Sequence, residues 1–493
     1  MPVEADVRLG QRVSAFAELL RLRWRWRNRW RARTFGVAFA FAAAVSYGLW
    51  HIPVQRFDSL EQLVAAQESP SVGAAFAGAL QQPVYLRPLR IAQIKLLFDL
   101  SQGHYQLAYR GFHVALLALL LLIFTHTLRV ESARDWVAAV FALTVLLGIH
   151  TFPPMVREAF PINHFLEIAV LCLAALALAQ SRGGMWVDIA AAGVFACAAL
   201  TLESGLLVWV VLAGAWWSGL RGVSLRGLAL CTLLLACYAG LRFVYLDTGM
   251  PSLIERTSGF LFERLEPEEL QRRFGADPTG FYAYNVVASL LSVALAEPRA
   301  GVFVATRAWF QQSAASPQVW ITVASSVACT GLIGAWAITG WRARPQEADS
   351  RAALGRVALL VSVASAASSY AYTKDDIMST AGVFYALAAF GAMRAALARV
   401  AASGRLAAVS LSVLLCLVSC GWAFRVITLD HVLRREVYRT RNDWALTPTL
   451  VRNGKRWPTD RRGLVLVERL EHDALTAEAP KLLPRWHYRW FEE

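Results

Sequence analysis

The chain of 493 residues is 57% hydrophobic and contains 18 Trp, and its apolar runs repeatedly approach the length needed to cross a bilayer. Its net charge of +14 would fit nucleic acid binding, but the arginines fall mainly between apolar runs, where the positive-inside rule places them. Membrane topology therefore explains the positive charge better than nucleic acid binding does. It predicts a membrane protein that crosses the bilayer many times.

The chain begins with a basic segment, residues 1–33, in which Arg and Trp alternate densely from Arg21 to Arg33. This pattern is typical of a cytoplasmic topology determinant whose Trp residues anchor at the interface beside anionic headgroups, and a partner-docking arm is the alternative. The apolar run from Gly36 to Trp50 lacks a convincing cleavage site with small residues, which predicts a retained span rather than a signal peptide.

The apolar runs predict an all-α, polytopic membrane helical bundle of about 11 transmembrane helices. Lipid forces backbone polar groups into helices or closed barrels, and these runs show no period-two alternation. The predicted spans begin near Thr34, Gly111, Trp136, Phe165, Trp186, Gly205, Gly227, Val319, Val357, Ala381 and Leu406. The run from Trp186 to Leu220 is interrupted at Glu203 and could be two short helices or an irregular pair, and we favour two helices.

The arginines orient these spans. With a cytoplasmic N-terminus, every short inside loop is basic. The transmembrane domain then covers residues 34–424, with outer loops at 51–110 and 247–317 and an outer-side tail at 425–493. We expect the cytoplasmic (inner) membrane of a bacterium, with a periplasmic C-terminus. The seven cysteines lie inside apolar runs, which predicts packing residues; they are Cys172, Cys197, Cys231, Cys237, Cys329, Cys416 and Cys420.

The first outer loop contains a carboxylate and several cations. Asp58, next to Arg56, could be a general base or could cap a following helix, and spacing alone favours the cap. The guanidiniums of Arg87 and Arg90, with Lys95 after them, suit phosphate recognition, although such side chains also reach lipid headgroups routinely.

The second outer loop is unusually rich in ionisable groups, which near a membrane indicate a functional site. The loop holds His150, Arg157, Glu158 and His164. An Arg157–Glu158 pair that only shapes the loop is the alternative. Three of these residues could ligate a metal in principle, but their spacing is not that of a dedicated metal site.

Two further charged positions stand out. Glu203 interrupts an uncharged region, and a carboxylate there should face the protein interior or a cavity, or pair with an arginine. Lys374 could contact a lipid phosphate, while Asp375 and Asp376 could hold a divalent cation or simply be solvated. The solvated alternative is favoured, so no metal and no other cofactor is predicted.

Taken in order, these features resemble the GT-C class of membrane glycosyltransferases, most nearly the O-mannosyltransferase-like proteins that carry tetratricopeptide repeats. The resemblance covers roughly residues 35–245 and 355–395. It rests on Arg87-Pro88-Leu89, Asp99, Gly103, Tyr105, His113, the His150–Pro153 region, Glu203-Ser204 and the loop at Lys374. The tail of about seventy residues can hold at most one or two repeats.

The resemblance implies transfer of a sugar from a polyprenyl-phosphate donor to a glycan or protein acceptor on the outer face. Asp58 would be the base, Lys374 would bind the donor phosphate and Arg87 would organise the donor. The other expected substrate-binding residues are Arg56, Arg157, Glu158, His164, Glu203 and Asp375.

Two positions depart from the family pattern. Ser59 follows Asp58 where the family often has paired acids, and Leu202 replaces a Lys before Glu203. These departures would fit an alternative function, a catalytically inactive subunit that binds membrane lipids and docks a protein partner through its tail.

Overall fold

The structure is a computed structural model that describes residues 29–81, 85–157, 163–246, 258–260, 263–342, 350–446 and 460–482. It is an all-α bundle with one small hairpin. The first helices are α1 Arg29–His51, α2 Phe57–Glu68, α3 Val72–Leu80, α4 Pro88–Ser101, α5 Tyr105–Thr127, α6 Ala133–Gly148, α7 Phe152–Arg157, α8 His164–Ala179, α9 Met185–Thr201, α10 Leu207–Trp217 and α11 Leu225–Gly240. A 3₁₀ turn, Glu203–Leu206, precedes α10, and a π turn, Leu241–Tyr245, continues α11.

The second half follows the hairpin of β1 Ser258–Phe260 and β2 Glu263–Leu265, which pair antiparallel with Gly259 opposite Arg264. Its helices are α12 Pro267–Phe274, α13 Thr279–Leu295, α14 Val302–Phe310, α15 Pro317–Arg342, α16 Ser350–Ser368, α17 Ser379–Ala402, α18 Arg405–Ala445 and α19 Arg461–Thr476. The two long predicted outer loops are therefore largely helical, with α2 to α4 in the loop at 51–110 and α12 to α14 in the loop at 247–317.

Helix starts follow from capping chemistry. The side chains of Ser71, Ser132, Asn163 and Ser224 accept hydrogen bonds from backbone N–H groups of the helices that follow them. Pro88 is the first residue of α4, where its missing N–H costs nothing. The favoured prediction that Asp58 caps the following helix is wrong, because α2 begins at Phe57, with Arg56 at the N-cap and Asp58 in the first turn.

The chain is an integral membrane protein by the length and composition of its helices. In the part of the chain that the structure describes, six helices are long and apolar enough to cross a bilayer, or seven if the pair α12 and α13, bent by 105°, forms one span. A helix occupies each of the eleven predicted segments, but five of these helices are shorter than the six: α6, α8, α9, α16 and the segment Glu203–Trp217. The two helices predicted between Trp186 and Leu220 are confirmed, with their break at Glu203.

Two apolar cores hold the molecule together. The larger one runs through the bundle around α17, where nearly every residue from Ser379 to Met393 is buried. The smaller one joins α2, α4 and the start of α5 to the end of α18 and to α19, with Leu63, Tyr109, Trp444 and Leu466 among its members. The C-terminal tail thus packs on the chain's own first loop.

Helix α18 connects the two cores. Its 41 residues extend about 60 Å, roughly twice the hydrocarbon thickness of a bilayer. The indole of Trp444, near its end, donates a hydrogen bond to the Val54 carbonyl at 2.8 Å. The second half of α18 therefore extends beyond the thickness of a bilayer, and its end packs in the smaller core.

Candidate functional site

The first candidate cluster is built on Glu203, at the break between α9 and α10. Arg87, the N-cap residue of α4, donates from Nε and Nη2 to Glu203 Oε2 at 2.9 and 2.6 Å. The break is tight because a Cβ on Gly205 would lie 2.0 Å from the Ala198 carbonyl oxygen, so a glycine is required there. The sequence predicted both charged residues, and the fold brings them together across 116 positions.

A second guanidinium approaches the same carboxylate from the π turn after α11. Arg242 Nη1 lies 3.4 Å from Glu203 Oε1 and donates to the Tyr238 hydroxyl at 2.7 Å. Two arginines therefore face one carboxylate, which leaves a net positive charge. Arg242 is buried, whereas the side chains of Arg87 and Glu203 are 22% and 27% exposed. The cluster is open to a ligand on the Arg87 side.

Two polar atoms of this cluster make no hydrogen bond among the described residues, although Glu203 Oε1 forms the ion pair of 3.4 Å with Arg242. Glu203 Oε1 and Ser204 Oγ are buried, and neither makes a hydrogen bond with the residues that the structure describes. An unsatisfied buried polar atom costs roughly 1–3 kcal/mol. One acceptor and one hydroxyl are therefore available, beside two arginines, for a polar ligand.

Aromatic side chains connect this cluster to the loop before α17. The Arg87 guanidinium stacks on the Tyr85 ring at 4.2 Å from its centroid. Tyr372 is close enough to Tyr85 for the two phenols to interact electrostatically, and burial is the main cause that raises the pKa of Tyr372. Lys374 Nζ lies 4.9 Å from the Tyr372 ring centroid. The residues predicted to contact the donor, Arg87 and Lys374, thus each lie over a tyrosine ring.

The second cluster is centred on Asp375. Its Oδ2 lies 3.1 Å from His150 Nε2 and accepts a hydrogen bond from Arg299 Nη1 at 3.2 Å. Arg299 also donates to the Thr373 carbonyl at 3.1 Å. Burial would raise the pKa of Asp375, but His150, then Arg299 and Arg157, hold that pKa below its ordinary value. The favoured prediction that Asp375 is solvated is therefore wrong: its carboxylate is buried beside His150 and Arg299 and fixes the loop that carries Lys374.

The hairpin supports the same loop from another direction. The Gly259 N–H donates to the Ala371 carbonyl at 2.9 Å, and Asn285 Nδ2 donates to the carbonyls of Gly259 and Tyr370. A Cβ at Gly259 would lie 2.5 Å from the ring of Tyr372. The predicted outer loop at 247–317 therefore positions the Lys374 loop.

Three residues that the sequence predicts to bind substrate contact parts of the chain outside the Glu203 cluster. Arg157 lies 3.8 Å from Glu436 of α18. Arg56 is buried and donates to the Asp443 carbonyl at 3.0 Å, which ties α2 to the end of α18. His164 is the buried first residue of α8, with its ring beside Phe165. The side chain of Asp58 and all of Glu158 lie outside the described residues, so their predicted roles stay predictions.

His113, one of the residues that carry the resemblance, belongs to a buried brace. Arg110 donates to the carbonyls of Ile52 and Pro53 at 2.6 and 2.5 Å, and its Nη1 lies 3.1 Å from His113 Nδ1. The N–H of Asn163 donates to His113 Nε2 at 2.8 Å. The brace sets where α5 and α8 begin relative to the first loop.

An apolar cavity of about 380 Å³ lies between α13, α15, α16 and α17. Thr330 and Tyr385, whose hydroxyl oxygens are 2.9 Å apart, line one part of it, and Arg356 lines another. Tyr385 is only about two turns from the start of α17, which follows the Lys374 loop. Within the described ranges, no group of three or more His, Cys, Asp or Glu residues is placed to hold a metal ion.

Sequence reasoning missed Arg242 and Arg299. Arg242 carries a usable signal, because an arginine directly after a long apolar run is itself a functional candidate. Arg299 carries none, since it lies in a long loop with many charges. No family model, curated protein or solved structure matches this chain. The site must therefore be interpreted from its own geometry.

Proposed function

We propose that the protein is a GT-C-like membrane glycosyltransferase with eleven transmembrane helices in the cytoplasmic membrane of a bacterium. Its N-terminus faces the cytoplasm and its C-terminus the periplasm. It transfers a sugar from a polyprenyl-phosphate donor to a glycan or protein acceptor on the outer face. The observation that carries the proposal is the Glu203 cluster, where two arginines lie beside Glu203 Oε1 and Ser204 Oγ, neither of which makes a hydrogen bond among the described residues.

The chemistry of this cluster suits a sugar phosphate. Guanidinium groups bind phosphate oxygens in a planar fork. Glu203 Oε1 can accept from a sugar hydroxyl, and Ser204 Oγ can donate to one. A sugar linked to a phosphodiester supplies anionic oxygens for the arginines and hydroxyl donors for Glu203 Oε1, whereas a phosphodiester without the sugar has no hydroxyl to donate.

The reaction needs three contributions. The acceptor hydroxyl oxygen attacks the anomeric carbon, the bond from that carbon to the phosphate oxygen breaks, and polyprenyl phosphate leaves with the bonding electrons. Asp58 takes the hydroxyl proton. Arg87 and Lys374 stabilise the charge that develops on the leaving phosphate, which is the kind of electrostatic assistance that contributes most to catalysis. The scheme uses no cofactor.

The apolar cavity supports a lipid-linked donor. A polyprenyl chain has no polar atoms, and the cavity between α13 and α17 is lined mainly by apolar side chains. It ends near Tyr385, close to the start of α17 and so to the loop of Lys374. In this arrangement the tail lies among the helices while the phosphate lies at the loop.

A second candidate is a subunit that binds lipid without catalysis. Arg87 already makes two hydrogen bonds to Glu203, and Arg56 is engaged with α18. An enzyme would have to loosen the first of these contacts when the donor binds. The departures at Ser59 and Leu202 also favour this alternative.

The test compares wild type with Asp58→Asn and Arg87→Gln in membranes. Release of polyprenyl phosphate is measured from a panel of polyprenyl-phosphate sugars with native acceptor extract. Arg272→Gln is the matched control, because Arg272 is an exposed arginine on α12 whose partner is Glu269. We expect turnover in wild type and control and loss in both site variants. Lipid binding without turnover of any donor would support the inactive subunit.

A further inference from the structure

Besides the apolar cavity, a polar cavity lies at the end of the bundle opposite to the Glu203 cluster. It measures about 500 Å³ and is formed where α1 begins and where α5 and α8 end. Helix α9 begins shortly after Arg182, which lines the cavity, and ends next to Glu203. Its 17 residues extend about 25 Å. The cavity is therefore remote from the sugar-phosphate site, and nothing in the proposed function uses it.

The charge of this cavity is positive. Arg31, Arg129 and Arg182 line it together with His126, and Glu131 is the one acidic side chain among the lining residues. Arg31 Nη2 is 3.8 Å from Glu131 Oε1, which is at the long end for an ion pair. Arg129 donates to the Gln180 carbonyl, a contact that holds the guanidinium at the cavity. Three guanidiniums facing one carboxylate favour an anionic ligand.

A buried hydroxyl gives an independent indication of a ligand. Thr125 lines the cavity and is only 3% exposed. Its Oγ1 is buried and has no hydrogen-bond partner among the residues that the structure describes. Buried hydroxyls are nearly always satisfied, so this one calls for an acceptor in the cavity. Phosphate oxygens accept from hydroxyls and guanidiniums alike.

The surroundings are those of a membrane interface. Trp30, one residue before Arg31, packs against Trp136 at a centroid distance of 6.1 Å, and the Arg33 guanidinium lies over the Trp30 ring. Trp and Arg at helix ends are typical of the headgroup layer. Phe35, one turn further along α1, adds an apolar wall to the cavity. A phosphate there would lie at headgroup depth beside apolar surface.

We propose that this cavity binds a phosphate group, with Arg129 and Arg182 as its charged contacts and Thr125 Oγ1 as a hydrogen-bond donor. The phosphate belongs to an anionic phospholipid or to a soluble phosphate compound, since both present the same chemistry. The proposal is independent of the glycosyltransferase. Its test uses no sugar donor, so each can fail alone.

The experiment uses the full-length protein, purified and stripped of lipid. Native mass spectrometry measures binding of phosphatidylglycerol, with phosphatidylcholine as the zwitterionic reference and inorganic phosphate as the soluble probe. The variants are Arg129→Gln with Arg182→Gln together, and Thr125→Val alone. Arg226→Gln is the matched control, because Arg226 is an exposed arginine at the start of α11 that does not line the cavity.

We expect the double variant to bind phosphatidylglycerol about 25-fold more weakly, since each arginine near a headgroup contributes about fivefold. Thr125→Val should weaken binding about fivefold, the effect of one hydrogen bond. Arg226→Gln should bind as wild type does. Phosphatidylglycerol bound in preference to phosphatidylcholine, with no competition from inorganic phosphate, identifies the lipid as the source. Inorganic phosphate that binds with the same dependence on the variants identifies a soluble ligand.

Wild-type binding of both probes by the double variant, or an equal loss in Arg226→Gln, would overturn the proposal. Size-exclusion profiles show whether the double variant is folded. If it is not, Thr125→Val decides, because replacing an unsatisfied buried hydroxyl by a methyl group should preserve the fold. Thr125→Val that keeps wild-type binding of both probes then overturns the proposal.

Discussion

The two carboxylate clusters of this protein differ in how completely each carboxylate is satisfied. Asp375 is buried, accepts a hydrogen bond from Arg299 and lies 3.1 Å from His150 Nε2. Glu203 faces two arginines, is partly exposed and has one oxygen without a hydrogen bond among the described residues. The comparison teaches that similar residues, an acid among arginines, can be structural in one place and available to a ligand in another. Stability should depend on the first cluster and donor binding on the second.

The largest expected effect is on stability at the Asp375 cluster. Asp375→Asn removes the charge between His150 and Arg299, and breaking a buried ion pair costs about 3 kcal/mol. Thermal unfolding in detergent should show a clear fall in melting temperature. Asp376→Asn, on the same loop but less buried, is the control and should shift it much less. Equal shifts in melting temperature in the two variants would contradict a specific structural role for Asp375.

The pH dependence of stability sharpens this assignment. The pKa of Asp375 is lower in the folded protein than its ordinary value of about 3.9. Its contribution is therefore fully present above that ordinary value and is lost as the pH falls through the lower, folded value. The stability difference between wild type and Asp375→Asn should shrink as the pH falls below about 4. A difference that grows with acidity would contradict the assignment.

A somewhat smaller effect, on the rate of sugar transfer, is expected from a change in the Glu203 cluster. Arg87→Gln removes one preorganised donor to the leaving phosphate, and the loss of such a donor costs about 100-fold in rate. Glu203 keeps Arg242 as its partner, so the fold should persist. Release of polyprenyl phosphate under single-turnover conditions measures the rate. Arg87→Lys should recover only part of it, because an ammonium lacks the planar fork.

The smallest effect is expected at Ser204. Ser204→Ala removes one hydroxyl without changing the charge of the cluster, and one hydrogen bond corresponds to about fivefold in affinity. The Kd for the donor should rise by that factor while the melting temperature stays the same or rises slightly. A raised melting temperature with unchanged donor affinity would mean that Ser204 Oγ faces no ligand.

Much of the helical architecture could be predicted from sequence, because apolar runs and charged breaks are local signals. The break at Glu203 is an example, since one carboxylate in an uncharged region predicted the end of α9. The number of transmembrane helices is harder to predict from sequence, because several apolar runs form helices shorter than a bilayer requires. The single helix from Arg405 to Ala445 was also not evident, since its polar second half has no membrane signal.

The candidate site was predicted as residues but not as contacts. Arg87, Glu203, Lys374 and Asp375 each stood out through charge at a predicted membrane boundary. Their partners are remote in sequence: Arg87 meets Glu203 across 116 positions and Arg299 meets Asp375 across 76. Such pairings depend on how helices pack, which periodicity does not encode. For the same reason the packing of α19 on α2 and α4 was not foreseen.

The central claim is that the Glu203 cluster, and not the Asp375 cluster, binds the donor. The most direct measurement is the Kd of a polyprenyl-phosphate sugar for wild type, Arg87→Gln and Asp375→Asn, each at a temperature where the protein is folded. We predict that Arg87→Gln loses most of the affinity and that Asp375→Asn, which removes no donor contact and acts only through the Lys374 loop, loses clearly less. Loss of affinity in Asp375→Asn with normal binding by Arg87→Gln would contradict the account.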